Sequence, residues 1–267
     1  MTYVFRGHFW GELAPGFTEP LAGIRVRLYR YRGTKYGSSL AVTDPKDTMA
    51  FLDEDRVSAK ASSLLAETTT NQAGHYVFVL DEQRSYRGEA FDIDLFLANV
   101  PGRKSQLPRK PLQITFTTMK PRWQLADSVY TAEWEYCLSA NFWCEIRSYF
   151  DAWVICGRVL TQVSQQPVSG AQVTAFDADW LQDDELGSAL TDAEGKFRID
   201  YERADFSRTL LSPIVNIEEG GPDLYFKINR SSGTVLLNEP KSQGHTPGRE
   251  NACRCFFIEF SVLDDLQ

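Results

Sequence analysis

The chain carries one motif twice. Residues 70–79 read TNQAGHYVFV and residues 191–200 read TDAEGKFRID. Each copy is threonine, a short amide or acid, two residues, glycine, one residue, an aromatic, then alternation. In such a corner the amide or acid side chain bonds the backbone two residues on, and glycine supplies a positive φ. The flanks repeat as well. Pro20 and Gly23 stand in EPLAGIRVRLYRY as Pro167 and Gly170 stand in QPVSGAQVTAFDA. Short alternating runs, frequent turn residues and no long helical period predict antiparallel sheets closed over their apolar faces. A repeat of this length therefore predicts two sandwiches: residues 1–125, with an inserted loop between Arg32 and Leu64, and residues 153–267.

The order of runs in the second copy is GRVLTQVSQQPVSGAQVTAFDAD, then LGSALTDAEGKFRIDY, then GPDLYFKI. Gly157 to Val159, Pro167 to Val173 and Thr191 to Phe197 resemble the transthyretin-like, or carboxypeptidase-regulatory-like, family of Greek-key sandwiches. The first copy resembles it more loosely, with Asn71 for the acid and Tyr76 for the aromatic. The resemblance implies an all-β chain of two tandem transthyretin-like (prealbumin-like) domains. It is specific for fold and unspecific for function: the family includes regulatory modules, sugar-binding modules, adhesive repeats and adaptor domains on secretion spikes. Two enzyme groups related to that sandwich leave no trace. The intradiol dioxygenases need a His-x-His pair on iron, and the hydroxyisourate hydrolases end in Tyr-Arg-Gly-Ser, whereas this chain ends FSVLDDLQ.

Between the copies, residues 126–152 form an aromatic joint. Trp134, Leu138, Phe142, Ile146 and Phe150 recur every four positions, a helical stripe whose aromatics also suit strands. The stripe is expected to be interdomain core or a docking surface, with Trp134, Phe142 and Trp143 as its candidate partner-binding residues.

The 267 residues carry a formal charge of −8, which argues against a general nucleic-acid binder. The opening MTYVFRGHFWGEL lacks the pattern of a cleavable export signal, and no run approaches membrane-spanning length. Cytoplasmic residence, or export without a cleavable signal as part of an assembly, is the expectation. Five cysteines, Cys137, Cys144, Cys156, Cys253 and Cys255, form an odd set, so free thiols rather than a disulfide framework are expected. Cys253 and Cys255 should share one face of a strand. The spacing of Cys137, Cys144, Cys253 and Cys255 matches no standard zinc knuckle.

Only three histidines occur, His8, His75 and His245, and none is near another in sequence. No nucleophile motif or phosphate loop is present, so catalysis is not expected and no cofactor is implied. Asp177, Asp179, Asp183, Asp184 and Glu185 gather around Trp180, and Asp53, Glu54 and Asp55 sit in the insertion of the first copy. Such acids could hold calcium, which takes about six to eight oxygens; solvated loop acids account for them equally well. The reading is a non-enzymatic protein-binding or structural module, an adaptor or part of a larger assembly such as a bacterial contractile injection system, with another protein or further copies of the chain (a homo-oligomer) as its partner. Asp179, Trp180, Asp183, Asp184 and Glu185 join the joint aromatics as its partner-binding candidates. The alternatives are a carbohydrate-binding accessory protein using Trp10, Trp123 or Trp180, and an enzyme with an acid pair.

Overall fold

The computed structural model describes residues 1–31, 50–105, 107–178, 184–206 and 220–263. They divide into two compact units: Met1–Gly11, Glu19–Pro101 and Leu107–Leu138 in the first, Glu12–Thr18, Gly102–Gln106 and Ser139–Gln267 in the second. In chain order the first part contains β1 (Thr2–Ala14), β2 (Phe17–Pro20), β3 (Arg25–Arg30), β4 (Ala50–Leu52), α1 (Glu54–Ala61), β5 (Leu64–Thr69), β6 (His75–Leu80), β7 (Phe91–Leu97), β8 (Leu112–Met119), β9 (Gln124–Ala126) and β10 (Val129–Leu138). Then follow α2 (Ala140–Tyr149), β11 (Trp153–Thr161), β12 (Ala171–Asp177), β13 (Asp184–Leu190), β14 (Lys196–Tyr201), β15 (Leu224–Arg230), β16 (Val235–Asn238) and β17 (Cys255–Val262).

The chain is mostly β, and both units are built alike. In the first, β1 lies between antiparallel β6 and parallel β10, and a second sheet runs β4-β8-β7-β3-β5. In the second unit, β11 lies between antiparallel β14 and parallel β17, and the other sheet runs β13-β12-β15-β16. Alternation fills each core. Phe5 and Phe9 of β1 meet Phe91 and Phe116 of the opposite sheet at 5.1 and 5.5 Å between ring centroids. Phe260 of β17 meets Phe226 of β15 at 5.0 Å. Each such buried ring stabilises its unit by roughly 1.5–3 kcal/mol.

The repeated motif has a physical account in every position. Thr191 Oγ1 donates to Val168 O at 2.6 Å and accepts from Ala171 N at 2.9 Å; Thr70 Oγ1 does the same with Leu21 O (2.5 Å) and Ile24 N (2.9 Å). The threonine thus latches the corner to the Pro-x-x-Gly turn. Asp192 Oδ1 accepts from Glu194 N and Lys196 N, as Asn71 Oδ1 does from Ala73 N and His75 N. Gly74 and Gly195 have φ of 79° and 71°, and a Cβ on them would lie 2.3 and 2.5 Å from Phe9 O and Val159 O. The closing aromatic covers a second glycine. Tyr76 pairs with Gly7 and Phe197 with Gly157, and a Cβ on Gly157 would sit 2.5 Å from the Phe197 ring. Thr191 is 5% exposed. Thr191→Val should therefore leave a buried carbonyl and amide unpaired and cost about 2 kcal/mol in urea unfolding.

The joint differs from its expectation in extent. Of the two readings left open for it, residues 129–138 take the strand: they form β10, the parallel neighbour of β1 in the first unit. The helix is confined to Ala140–Tyr149. The every-fourth-residue stripe arises because the core-facing positions Trp134 and Leu138 of β10 run directly into the buried positions of α2. A strand's even positions and a helix's i+4 positions coincide over so short a span.

Candidate functional site

Each unit carries one described α-helix, and each α-helix is fastened by an ion pair with a buried partner. In the first unit, Lys60 of α1 donates to Asp94 of β7 at 2.7 Å and to Thr115 of β8 at 3.3 Å. Gln113 Nε2 donates to the other Asp94 oxygen at 2.8 Å. Burial pushes the Asp94 carboxyl above the usual carboxylate range, opposed by Lys60 and Gln113. Helix α1 therefore belongs to the β4-β8-β7-β3-β5 sheet.

In the second unit the fastened sheet is the other one. Its outer face presents Asp200, Val154 and Cys255 in one row across β14, β11 and β17. Helix α2 grips both ends of that row: Arg147 reaches Asp200 at 3.0 Å, and Cys144 is disulfide-bonded to Cys255. Trp143, Ile146 and Arg147 are buried on the helix. Val154 and Cys156, which alternation turns away from the sandwich core, are buried too.

The matching face of the first unit is open. Its rows are Val79–Val4–Thr131, Val77–Arg6–Glu133 and His75–His8–Glu135 across β6, β1 and β10, with Trp10 beside Cys137 at the end. Val77 and Val79 are 51% and 53% exposed. Val79 and Thr131 stand where Asp200 and Cys255 stand in the second unit, and neither offers a charge or a thiol to hold a helix. Arg6 donates to Glu133 beside the valines, an exposed pair of small energetic weight. His8 is stacked between His75 (4.5 Å between centroids) and Trp10 (4.6 Å). Two histidines far apart in sequence thus meet, because β1 and β6 pair in register. His245, in the second unit, lies 3.0 Å from Asp223.

The sequence-derived candidates fare unevenly. Trp143 is fully buried, so it is not displayed as a docking side chain. Phe142 is half-buried. Trp134 is half-buried and packs on Phe9, Phe116 and Tyr136 within the first unit. Asp184 and Glu185 open strand β13, whereas Asp179, Trp180 and Asp183 lie outside the described residues. Asp53 caps the N-terminus of α1 by accepting from Arg56 N at 2.8 Å.

No family model matches this chain. No curated protein matches it in sequence either. Among solved structures, it is similar to the shaft pilin SpaA from Lactobacillus rhamnosus GG, at 12% identity and a TM-score of 0.29, covering 99% of this chain and 97% of the pilin. The Bacillus anthracis TIE protein gives 8% identity and a TM-score of 0.27 over 99% of this chain and 34% of that one. A 9R-lipoxygenase from Cyanothece PCC8801 gives 14% identity and a TM-score of 0.27 over 45% of this chain and 20% of the enzyme. TM-scores this low establish no common fold, so these proteins lend the chain no activity or partner.

The cysteines correct the expectation of free thiols. Cys144 and Cys255 are joined with Cα atoms 6.0 Å apart, at a sequence separation of 111. Cys137, Cys156 and Cys253 are free. An odd count excludes only complete pairing. Cys253 also lies outside the strand, since β17 begins at Cys255, so the two do not share a strand face. Among the described residues no group of three or more His, Cys, Asp or Glu is arranged to hold a metal ion, and no helix is long and apolar enough to cross a membrane.

The open face was missed from sequence although β6 signals it. His75–Leu80 reads HYVFVL, apolar at both parities past the histidine, whereas Lys196–Tyr201 reads KFRIDY, polar on every outward position. Outward valines on a sheet with one solvated face mark a surface that something else covers.

Proposed function

We propose that this chain is a non-enzymatic module that holds another protein on the outer face of the β6-β1-β10 sheet. The observation that carries it is the contrast within the molecule. The same face in the second unit is sealed by α2, while in the first it presents Val77, Val79, Val4 and Trp10 with exposed Arg6, His75, Glu133 and Glu135 around them. The precedent also names the occupant: an amphipathic helix of a partner, laying an apolar stripe along the valines, as α2 does on its own sheet. The mixed charges at the rim would fix its direction. In this reading the two units are tandem transthyretin-like sandwiches, supported by the motif resemblance and the shared strand order. The chain then serves as an adaptor or a component of a larger assembly, of which a bacterial contractile injection system is one candidate. Carbohydrate recognition is less well supported, because His8 covers one face of Trp10, and Trp123 packs edge-on against Tyr3, Phe5 and Tyr86 rather than presenting a flat platform.

Exposed valines tolerate charge, so Val77→Lys with Val79→Lys should change stability by no more than about 0.5 kcal/mol each. The double variant should lose a protein that co-purifies with the native chain, while its circular dichroism stays unchanged. Retention of that protein by the folded double variant would remove this face from consideration. A substrate turned over by the purified chain would overturn the non-enzymatic reading.

A further inference from the structure

The second unit places a free thiol beside its own disulfide. Cys253 is exposed, and Cys255, two residues on, is bonded to Cys144 of α2. The Cys253 side chain is folded toward that neighbour: its Sγ donates to the Cys255 carbonyl oxygen at 3.1 Å. The backbone between them is pinned, because Arg254 O accepts from Val154 N at 2.8 Å. The Arg254 side chain is held as well, its guanidinium 4.4 Å over the Trp153 ring and 3.9 Å from Asp151, which Arg203 also approaches at 4.0 Å. The segment is therefore held at its central residue, Arg254, and the exposed thiol lies two residues from the bonded cysteine.

We propose that Cys253, Cys255 and Cys144 form a thiol–disulfide exchange site, in which the Cys144 sulfur passes between the two strand-side cysteines. The Cys253 thiolate attacks Cys144 Sγ. The Cys253–Cys144 bond forms, the Cys144–Cys255 bond breaks, and its electron pair leaves on Cys255 Sγ, which takes from water the proton that Cys253 gave up. One disulfide and one thiol are present before and after, so no oxidant or reductant is consumed. The covalent anchor of α2 moves by two residues, from the first position of β17 to the segment that precedes it. The Arg147–Asp200 ion pair is on the opposite strand and is not broken by the step.

The chain itself provides the assay. Arg254 separates the two cysteines, so trypsin places Cys253 and Cys255 on different peptides. Native protein is incubated at mildly alkaline pH without added thiol, quenched in acid, alkylated and digested, and the disulfide-linked peptides are identified by mass spectrometry. The expected result is a Cys144–Cys253 linkage that grows with time alongside Cys144–Cys255, and is missing in Cys253→Ser. If only Cys144–Cys255 is found after prolonged incubation, or if all five cysteines alkylate as free thiols at the outset, the proposal fails. The wild-type time course decides the matter even where Cys253→Ser does not fold.

Discussion

Replacing Cys144 with serine is expected to cost the second unit about 4–5 kcal/mol, because the bond closes a loop spanning a sequence separation of 111 and loop-closure entropy scales with that length. The loss should show as an earlier urea midpoint followed by fluorescence of Trp143 and Trp153, which are buried in that unit. A shift worth less than about 1 kcal/mol would mean that the unfolded chain is already compact around these positions, or that the bond adds strain to the native state.

The second large effect lies at the other end of the same row. Arg147 is fully buried on α2, and its counter-charge is Asp200, which Arg198 also contacts at 2.8 Å through both Nε and Nη2. Asp200→Ala would take a carboxylate away from a buried guanidinium that has a second one close by. Breaking a buried pair from one side costs about 3–5 kcal/mol. Asp200→Asn keeps the shape and an accepting oxygen and should cost less. Urea unfolding of the two variants checks both the size and the order. Equal losses would show that packing, and not charge, holds the helix at that end.

The fold was legible in this sequence where the physics is local. The threonine latch, the Asx corner and the positive-φ glycine all act within a few residues of one another or on the adjacent turn, so their pattern survives as a motif. Tyr76 over Gly7 and Phe197 over Gly157 extend the pattern because an aromatic must roof a position that has no side chain. What was not legible is what depends on pairing at a distance. Cys144 reaches Cys255, and His8 reaches His75, only once strand register is set, and nothing near either residue announces its partner. The ambiguity of residues 129–138, whose stripe suited helix and strand alike, has a different origin. A strand whose inward residues are Trp134, Tyr136 and Leu138 has the same spacing of large apolar groups as a helix when every second one is counted. Of the docking aromatics Trp143 is ruled out because it is fully buried, whereas Trp134 and Phe142 are half-buried. The outward valines of β6, being small, stand out less in the sequence than their exposure warrants.

Each unit places its first strand beside its last, in parallel. Arg6 meets Glu133 across a separation of 127 residues, and Val154 is paired with Cys255. On the ribosome this order has a cost in time. The N-terminal strand emerges first, yet its parallel neighbour is made only after every other strand of the unit, so one edge waits unpaired for nearly the whole of that unit's synthesis. Distant pairings of this kind fold slowly and leave unpaired edges open to other chains. Nascent chains that stop just short of Val129 should consequently be captured by chaperones or aggregate more than chains that end at Leu138.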